Sequence, residues 1–308
     1  MSRELKNWGM LLFLATIWGS SFILMKRGMI DKVSGDSIFS SNQVGAMRML
    51  FASSALLPLG LRHFKSFNSV KFILSLAVVA FLGNFVPAFL FTYAETGISS
   101  GYAGMLNSCT PIFTLIIGTL LFKQPLVRVQ VLGVAIGTVG IVWLVNGVSV
   151  VDTSGSVWHV LAVVLATLFY AISVNTIKYN LNGIKPLKIT SMAFTLSFIP
   201  ALILFFHFDT PATIVSNSYA PSALIYIGIL ALIGTAFSVV IFNILIANSS
   251  ALFASSVTYF IPIVALLIGL WDGEVMSIYQ ALAMLVILSG VYIANVLGNR
   301  KEKKDQRN

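Results

Sequence analysis

The side chains of this sequence that could do chemistry sit inside long apolar runs. They are Trp18, Ser20 and Ser21, then Asn84, Asn107 and Thr110, then Tyr170, Thr235 and Ser238, and finally Thr258 and Tyr259. None is a catalytic acid, base or metal ligand. Amides, hydroxyls and aromatic faces recognise a molecule; they do not cleave one. In a lipid environment such groups are costly unless they face protein or a water-filled cavity, so they point to a pathway. The substrate-binding candidates are Trp18, Ser20, Asn84, Asn107, Thr110, Tyr170, Thr235, Thr258 and Tyr259. The alternative is that the hydroxyls and amides only hydrogen-bond helix to helix. Aromatic belts gather at membrane interfaces. Trp18 and Tyr170 lie near mid-run and are read as cavity walls or as lipid-facing rings. Asn107, Thr110, Thr114 and Gly118 fall on one helical stripe.

Other chemistries lack their residues. His63, His159 and His207 stand at the ends of runs, far apart in sequence. There is no His-Glu-x-x-His, and no Asp or Glu lies mid-run. Cys109 is the single cysteine, so no intramolecular disulfide can form. No cofactor, metal or enzymatic activity is expected. The partners expected are a small-molecule substrate and membrane lipid. Proton-coupled pumps commonly use an intramembrane carboxylate, so the pattern favours transport that is not proton-driven. Lys26 and Glu95 read as wetted run ends or gates. Arg48 reads as an interfacial anchor, able to snorkel, or as one partner of an ion pair; it is also the only candidate that could meet a strong anion at depth. With so little charge at depth, the expected substrate is zwitterionic, neutral or weakly charged.

The elements that carry these residues follow from composition. Of the 308 residues, 57% are hydrophobic and 9% charged, where a soluble domain carries about 25% charged residues. A mean hydropathy of +0.93 cannot be covered by a water-facing surface. A membrane-spanning helix needs roughly 20 apolar residues. The apolar runs give spans over 8–27, 40–61, 71–94, 98–121, 128–147, 157–177, 188–207, 221–246, 250–271 and 276–297. The first run has no small-residue cleavage site and reads as a retained helix. Pro111 and Pro262 kink or break the fourth and ninth spans, either as fixed kinks or as gating hinges. Gly133-Val-Ala-Ile-Gly137 is a small-xxx-small packing face, within the chain or between protomers.

Charge then orients the spans. With a cytoplasmic N-terminus, 15 of the 19 Lys and Arg fall inside and three (Lys26, Arg27 and Lys32) outside, with Arg48 within the second span. Asp31, Asp36, Glu95, Asp152, Asp209, Asp272 and Glu274 fall outside. The positive-inside rule weighs the cations, and their segregation implies an even number of spans with both termini cytoplasmic. The pI of about 9.7 and the basic tail 300–308 read as a cytoplasmic anchor rather than as nucleic-acid binding. Monomer and homodimer are both open.

The sequence also repeats itself. Shifted by 151, residues 80–118 meet 231–269 with ten identities in 39 positions, among them Gly83/Gly234, Phe91/Phe242, Ser99/Ser250 and Pro111/Pro262. Asn84 meets Thr235 and Asn107 meets Thr258, so polar positions recur at matching depth. This predicts an all-α integral membrane protein of ten transmembrane helices, as two five-helix repeats over 1–150 and 151–299. Five is odd, so the second copy enters the membrane inverted. Inverted repeats are found in many secondary transporters, with the binding site near the midplane between them.

The motifs resemble a known family. Ala15-Thr-Ile-Trp-Gly-Ser-Ser-Phe22, Arg48, Ser99 through Pro111, and its second copy Ser250 through Pro262 are similar to elements of EamA-type members of the drug/metabolite transporter superfamily. Gly273-Glu274 matches a family Gly-Glu, whereas the first half departs from it with Lys123-Gln124. The resemblance covers essentially the whole chain. It implies ten helices in two inverted units and export of amino acids, related metabolites or drugs from a bacterium, across its inner membrane. An intramembrane enzyme and a channel are the competing classes.

Overall fold

The computed structural model describes residues 3–63, 69–124, 127–146, 157–273 and 277–294. Lys65, Asp152, Glu274, the expected boundary at 150/151 and the basic tail 300–308 lie outside the described residues. Helices follow the apolar runs. They are α1 (Arg3–Met29), α2 (Ser41–Arg62), α3 (Val70–Ala94), α4 (Ser100–Phe122), α5 (Arg128–Asn146), α6 (Val157–Asn180), α7 (Pro186–His207), α8 (Ala220–Asn248), α9 (Ala251–Trp271) and α10 (Ile278–Tyr292). Among the described residues 8 helices, α1–α4 and α6–α9, are long and apolar enough to cross a membrane. The apolar stretches of α5 and α10 are shorter, Arg128–Gly140 and Ala281–Gly290.

Serines set several helix starts. Ser40 accepts from the Gln43 backbone N–H, and the Gln43 side chain accepts from the Ser40 N–H, a reciprocal capping box. Ser99 and Ser250, one repeat apart, cap α4 and α9 with their hydroxyls, accepting from Tyr102 and Phe253 N–H. The outward faces stay apolar, with Leu120, Leu121, Ile203, Phe206 and Leu267 exposed. That suits a lipid solvent, in which association must come from close packing and polar contacts between helices.

Small residues supply that packing. α2 lies along α7 and α5 along α10. A Cβ on Gly60 would strike Ser191 and Thr195 of α7. Gly133 and Gly137 of α5 interlock with Gly290 and Ala294 in the same way. The Gly133–Gly137 face is therefore spent within the chain, against α10. α1 packs on α8 and α9, while α6 packs on α3 and α4.

Four irregularities fall at two matched depths. A π-helical turn occupies Phe81–Phe85 in α3 and another occupies Leu232–Phe237 in α8. α4 is interrupted between Asn107 and Thr110, and α9 winds into a 3₁₀ turn over Ser256–Tyr259. Pro111 and Pro262 then sit in the first turn of the helical segment that follows each interruption. Proline lacks only an N–H that is orphaned there anyway. The prolines thus start new helical segments and do not bend continuous ones. For the same reason the stripe through Asn107, Thr110, Thr114 and Gly118 does not run on one continuous helix.

Candidate functional site

The irregular turns meet around a cavity of about 100 Å³. By volume it holds several water molecules, or one small solute. Seven of the nine side chains expected from sequence line it: Trp18, Asn84, Asn107, Thr110, Tyr170, Thr235 and Thr258. Ser20 and Tyr259 do not. The Ser20 hydroxyl turns back to the Ile17 carbonyl at 2.8 Å, and its neighbour Ser21 takes the lining position. Pro111 and Pro262 also stand outside the lining.

Each lining residue is placed by its local backbone. In a π-turn the ladder slips by one residue, and the side chain at the slip bonds the carbonyl five residues back. The Asn84 amide donates to Val79 O at 2.9 Å, and the Thr235 hydroxyl donates to Leu230 O at 2.9 Å. These two pairs are related by the same shift of 151. The interrupted helices do likewise: Thr110 donates to Asn107 O at 2.8 Å and Thr258 to Ser255 O at 2.9 Å. The interruptions touch each other, since Ser108 donates to Thr258 O at 3.1 Å.

The aromatic walls are paired in the same way. Trp18 of α1 meets Phe242 of α8 edge-on at 5.0 Å, and its indole N–H donates to Gly234 O at 3.0 Å. Tyr170 of α6 stacks on Phe91 of α3 at 5.9 Å. Gly83 and Gly234 let these helices approach: an added Cβ would meet Ser173 Oγ in one case and Ser21 Oγ at 3.0 Å in the other. Four lining residues of α1 (Trp18, Ser21, Phe22 and Met25) thus match four of α6 (Tyr170, Ser173, Val174 and Ile177) at a constant shift of 152.

Arg48 overturns an expectation. It does not snorkel to an interface. It is 9% exposed, lines the cavity, and its Nε donates to Thr235 Oγ1 at 2.8 Å. Its charge reaches depth because α2 is wedged against α7 and α8, so its face turns inward. Asn243, also lining the cavity, donates to Thr190 Oγ1 at 2.8 Å, while its buried Oδ1 has no hydrogen-bond partner among the described residues. Sequence reasoning missed Asn243, although it carries the same signal, a polar residue deep in an apolar run. Thr114 and Gly118, the rest of the stripe, face Asn175 of α6 instead.

Both ends of the cavity are tied. At the Met29 end, Arg27 of α1 and Lys32 pair with Asp272 just past α9, Lys32 at 3.1 Å. Lys32 also lies 5.9 Å over the Trp271 ring. At the other end, Lys178 Nζ donates to the Ile246 and Ser249 carbonyls and covers the end of α8. Trp8 packs edge-on against Phe253 at 5.3 Å.

The Asp272 pairing gives a pH prediction. Burial alone raises this carboxyl, but hydrogen bonds and charge from Arg27 and Lys32 outweigh it and hold it below the usual carboxylate value. A depressed pKa contributes stability above the unfolded-state value and loses it as pH falls through the folded one. The tie therefore holds unchanged from pH 8 to 5 and weakens only below roughly pH 4. Asp272→Asn removes it at every pH, at a cost on the order of 1–3 kcal/mol. Cys109, free and buried, reports this directly through its reaction with a thiol dye on heating in detergent. An Asp272→Asn variant that melts with the wild type at pH 7 would show that the tie contributes nothing.

Membrane-crossing helices gathered around a small cavity of amides, hydroxyls and aromatic rings define a multi-pass membrane transport protein. The EamA-like transporter family model matches the chain twice, over residues 7–146 and 157–296. The chain belongs to this family, a transporter family and not one of enzymes, within the drug/metabolite transporters. It is 25% identical over 292 residues to the uncharacterized inner membrane transporter YedA of Escherichia coli K12, covering 94% of this chain and 90% of the relative. It is 24% identical to the uncharacterized transporter YdfC of Bacillus subtilis over 93% and 90% of the two chains. It is 22% identical to a probable terminal-alkyne amino-acid exporter of Streptantibioticus cattleyicolor over 96% and 95%. A crystal structure of another protein superposes with a TM-score of 0.60 at 14% identity, over 95% of this chain and 97% of that one. At that identity the likeness is one of fold.

Proposed function

We propose that this protein is a secondary transporter exporting small metabolites, amino acids or related compounds, across a bacterial inner membrane by alternating access. The observation that carries the reading is the pairing of the cavity wall. Trp18/Tyr170, Ser21/Ser173, Asn84/Thr235 and Asn107/Thr258 recur at near-constant shifts and converge on one cavity. Two inverted five-helix repeats, 1–150 and 151–299, would produce this arrangement about an axis in the membrane plane. α5 and α10 would complete a count of ten spans, and the positive-inside count supports a cytoplasmic position for both termini and the tail 300–308.

In this orientation the Arg27–Asp272–Lys32 tie closes the outer side and the Lys178 contacts close the inner side. Rocking of the halves would part the contacts that cross between them, the Arg27–Asp272–Lys32 tie on the outer side or the Trp8–Phe253 contact on the inner, while the Lys178 contacts lie within the second half and move with it. Asn107 and Thr258 lie where the halves touch, so they bind substrate in either state. No carboxylate lines the cavity among the described residues, which favours an uncoupled, gradient-driven carrier.

Counterflow in proteoliposomes tests this. Purified protein preloaded with one compound should accumulate its labelled form, saturably, from a panel of amino acids and small metabolites. An imposed proton gradient should not change the rate. Asn107→Ala and Thr258→Ala should each lower exchange about tenfold, the equivalent of one lost hydrogen bond at about 1.4 kcal/mol. Unchanged exchange in both folded variants would place the binding site elsewhere.

A further inference from the structure

The cavity holds one fixed charge, and nothing among the described residues neutralises it. Arg48 is the only charged residue lining it among the described residues. Its Nε is engaged by Thr235 Oγ1 and its Nη1 lies 3.7 Å from Met25 Sδ, a weak acceptor. No carboxylate pairs with it among the described residues, and its Nη2 makes no hydrogen bond to them. The acidic residue Asp272 that pairs with cations elsewhere is taken by Arg27 and Lys32.

An ionised guanidinium at membrane depth is costly without a partner. Arg is also the side chain whose planar fork matches a carboxylate with two parallel hydrogen bonds. Among the described residues the remaining polar lining carries no carboxylate or second cation; it is made of amides such as Asn84, Asn107 and Asn243 and of hydroxyls such as Ser21, Thr258 and the Tyr170 phenol. These accept or donate to uncharged groups, but none offers a counter-charge to an ammonium. α2 (Ser41–Arg62) and α7 (Pro186–His207) are offset by 145, which sets the uncharged Ala193 opposite Arg48 in the repeat. The cavity is therefore paired in shape but one-sided in charge.

We infer that the substrate is a small organic monocarboxylate with an apolar body, its carboxylate held by Arg48, and that an α-ammonium group is not required. This deepens the transporter reading and rests on it. It replaces the expectation of a zwitterionic, neutral or weakly charged substrate, which rested on the scarcity of charge at depth.

Two series of matched compounds separate the possibilities. One is leucine, 4-methylpentanoate and 3-methylbutylamine. The other is phenylalanine, 3-phenylpropionate and phenethylamine. Each is tested for raising the unfolding midpoint of the purified protein, read by the Cys109 thiol. In the series whose body fits, the carboxylate without the amine should stabilise at least as well as the amino acid, and the amine should not stabilise. Arg48→Gln should weaken the carboxylate by tenfold or more, while Arg48→Lys, which keeps the charge, should retain part of the effect. Should Arg48→Gln fail to fold, the wild-type ranking still decides. Stabilisation by the amines, strict dependence on the ammonium, or no stabilisation by any carboxylate overturns the assignment. Counterflow separates this from the broader reading. Saturable exchange of an amine or neutral compound would sink the carboxylate assignment and leave the carrier intact. Arg48-dependent carboxylate binding with no exchange of any compound would do the reverse.

Discussion

Trp18→Ala should unfold more easily by about 3–5 kcal/mol, the range for emptying a large aromatic site, and should lose more than tenfold of its counterflow rate. The ring is half-buried against Phe242, and its N–H is fixed on the Gly234 carbonyl within the π-turn of α8. Alanine removes the wall between α1 and α8 and leaves that carbonyl without the indole. Trp18→Phe separates the two contributions. It keeps an aromatic face toward Phe242 and loses only the hydrogen bond, at about 1–3 kcal/mol. If the bond is what places the ring, the Trp18→Phe variant should fold well yet exchange substrate slowly. An alanine variant with wild-type melting and exchange would mean that Trp18 neither shapes the cavity nor joins α1 to α8.

Gly290→Leu should have the larger structural effect, separating α10 from α5 and sharply lowering the yield of folded protein. A Cβ at position 290 would lie 2.6 Å from Gly133 O and 2.7 Å from Gly137 Cα. Both are backbone atoms of a packed helix and cannot rotate away. Overpacking a core by a methylene or two costs typically about 1–3 kcal/mol, and here a whole leucine side chain must enter where not even a methyl fits. Leu285→Ala is the control, because Leu285 is exposed on α10 and its change should stay near neutral. Thermal unfolding in detergent, again read at Cys109, compares the two. Equal melting of Gly290→Leu and wild type would mean that α5 and α10 do not pack as described. Since the same face would serve a homodimer in the alternative arrangement, measuring mass in detergent for both proteins distinguishes internal packing from dimerisation.

The apolar runs were legible because lipid allows only segments that satisfy their own backbone, so each helix is written as a continuous stretch of hydrophobic residues. Polar residues stand out against that background, which is why Trp18, Asn84, Asn107 and Thr258 could be picked without coordinates. The 151 shift was legible for a related reason: glycines and prolines that permit close approach or start a helix recur where the backbone needs them.

Depth along a helix says nothing about which face a side chain takes. Ser20 and Ser21 differ by about 100° around α1, and only packing against Gly234 selects Ser21 for the cavity. Tyr259 follows Thr258 in a 3₁₀ turn and stands outside the lining for the same reason. The π-turns were invisible too, since one slipped hydrogen bond leaves no mark in hydropathy. Arg48 differed most from its sequence reading. Close to the start of α2, it looked like an end-of-helix anchor, but α2 packs so tightly on α7 that its guanidinium is carried inward to Thr235 of α8. By itself the sequence determined that this chain lives in lipid, repeats itself and carries a few polar groups at depth. Only the tertiary structure decided which of those groups share a cavity and that a charge lies among them, because facing depends on helix rotation, and rotation is set by the neighbours.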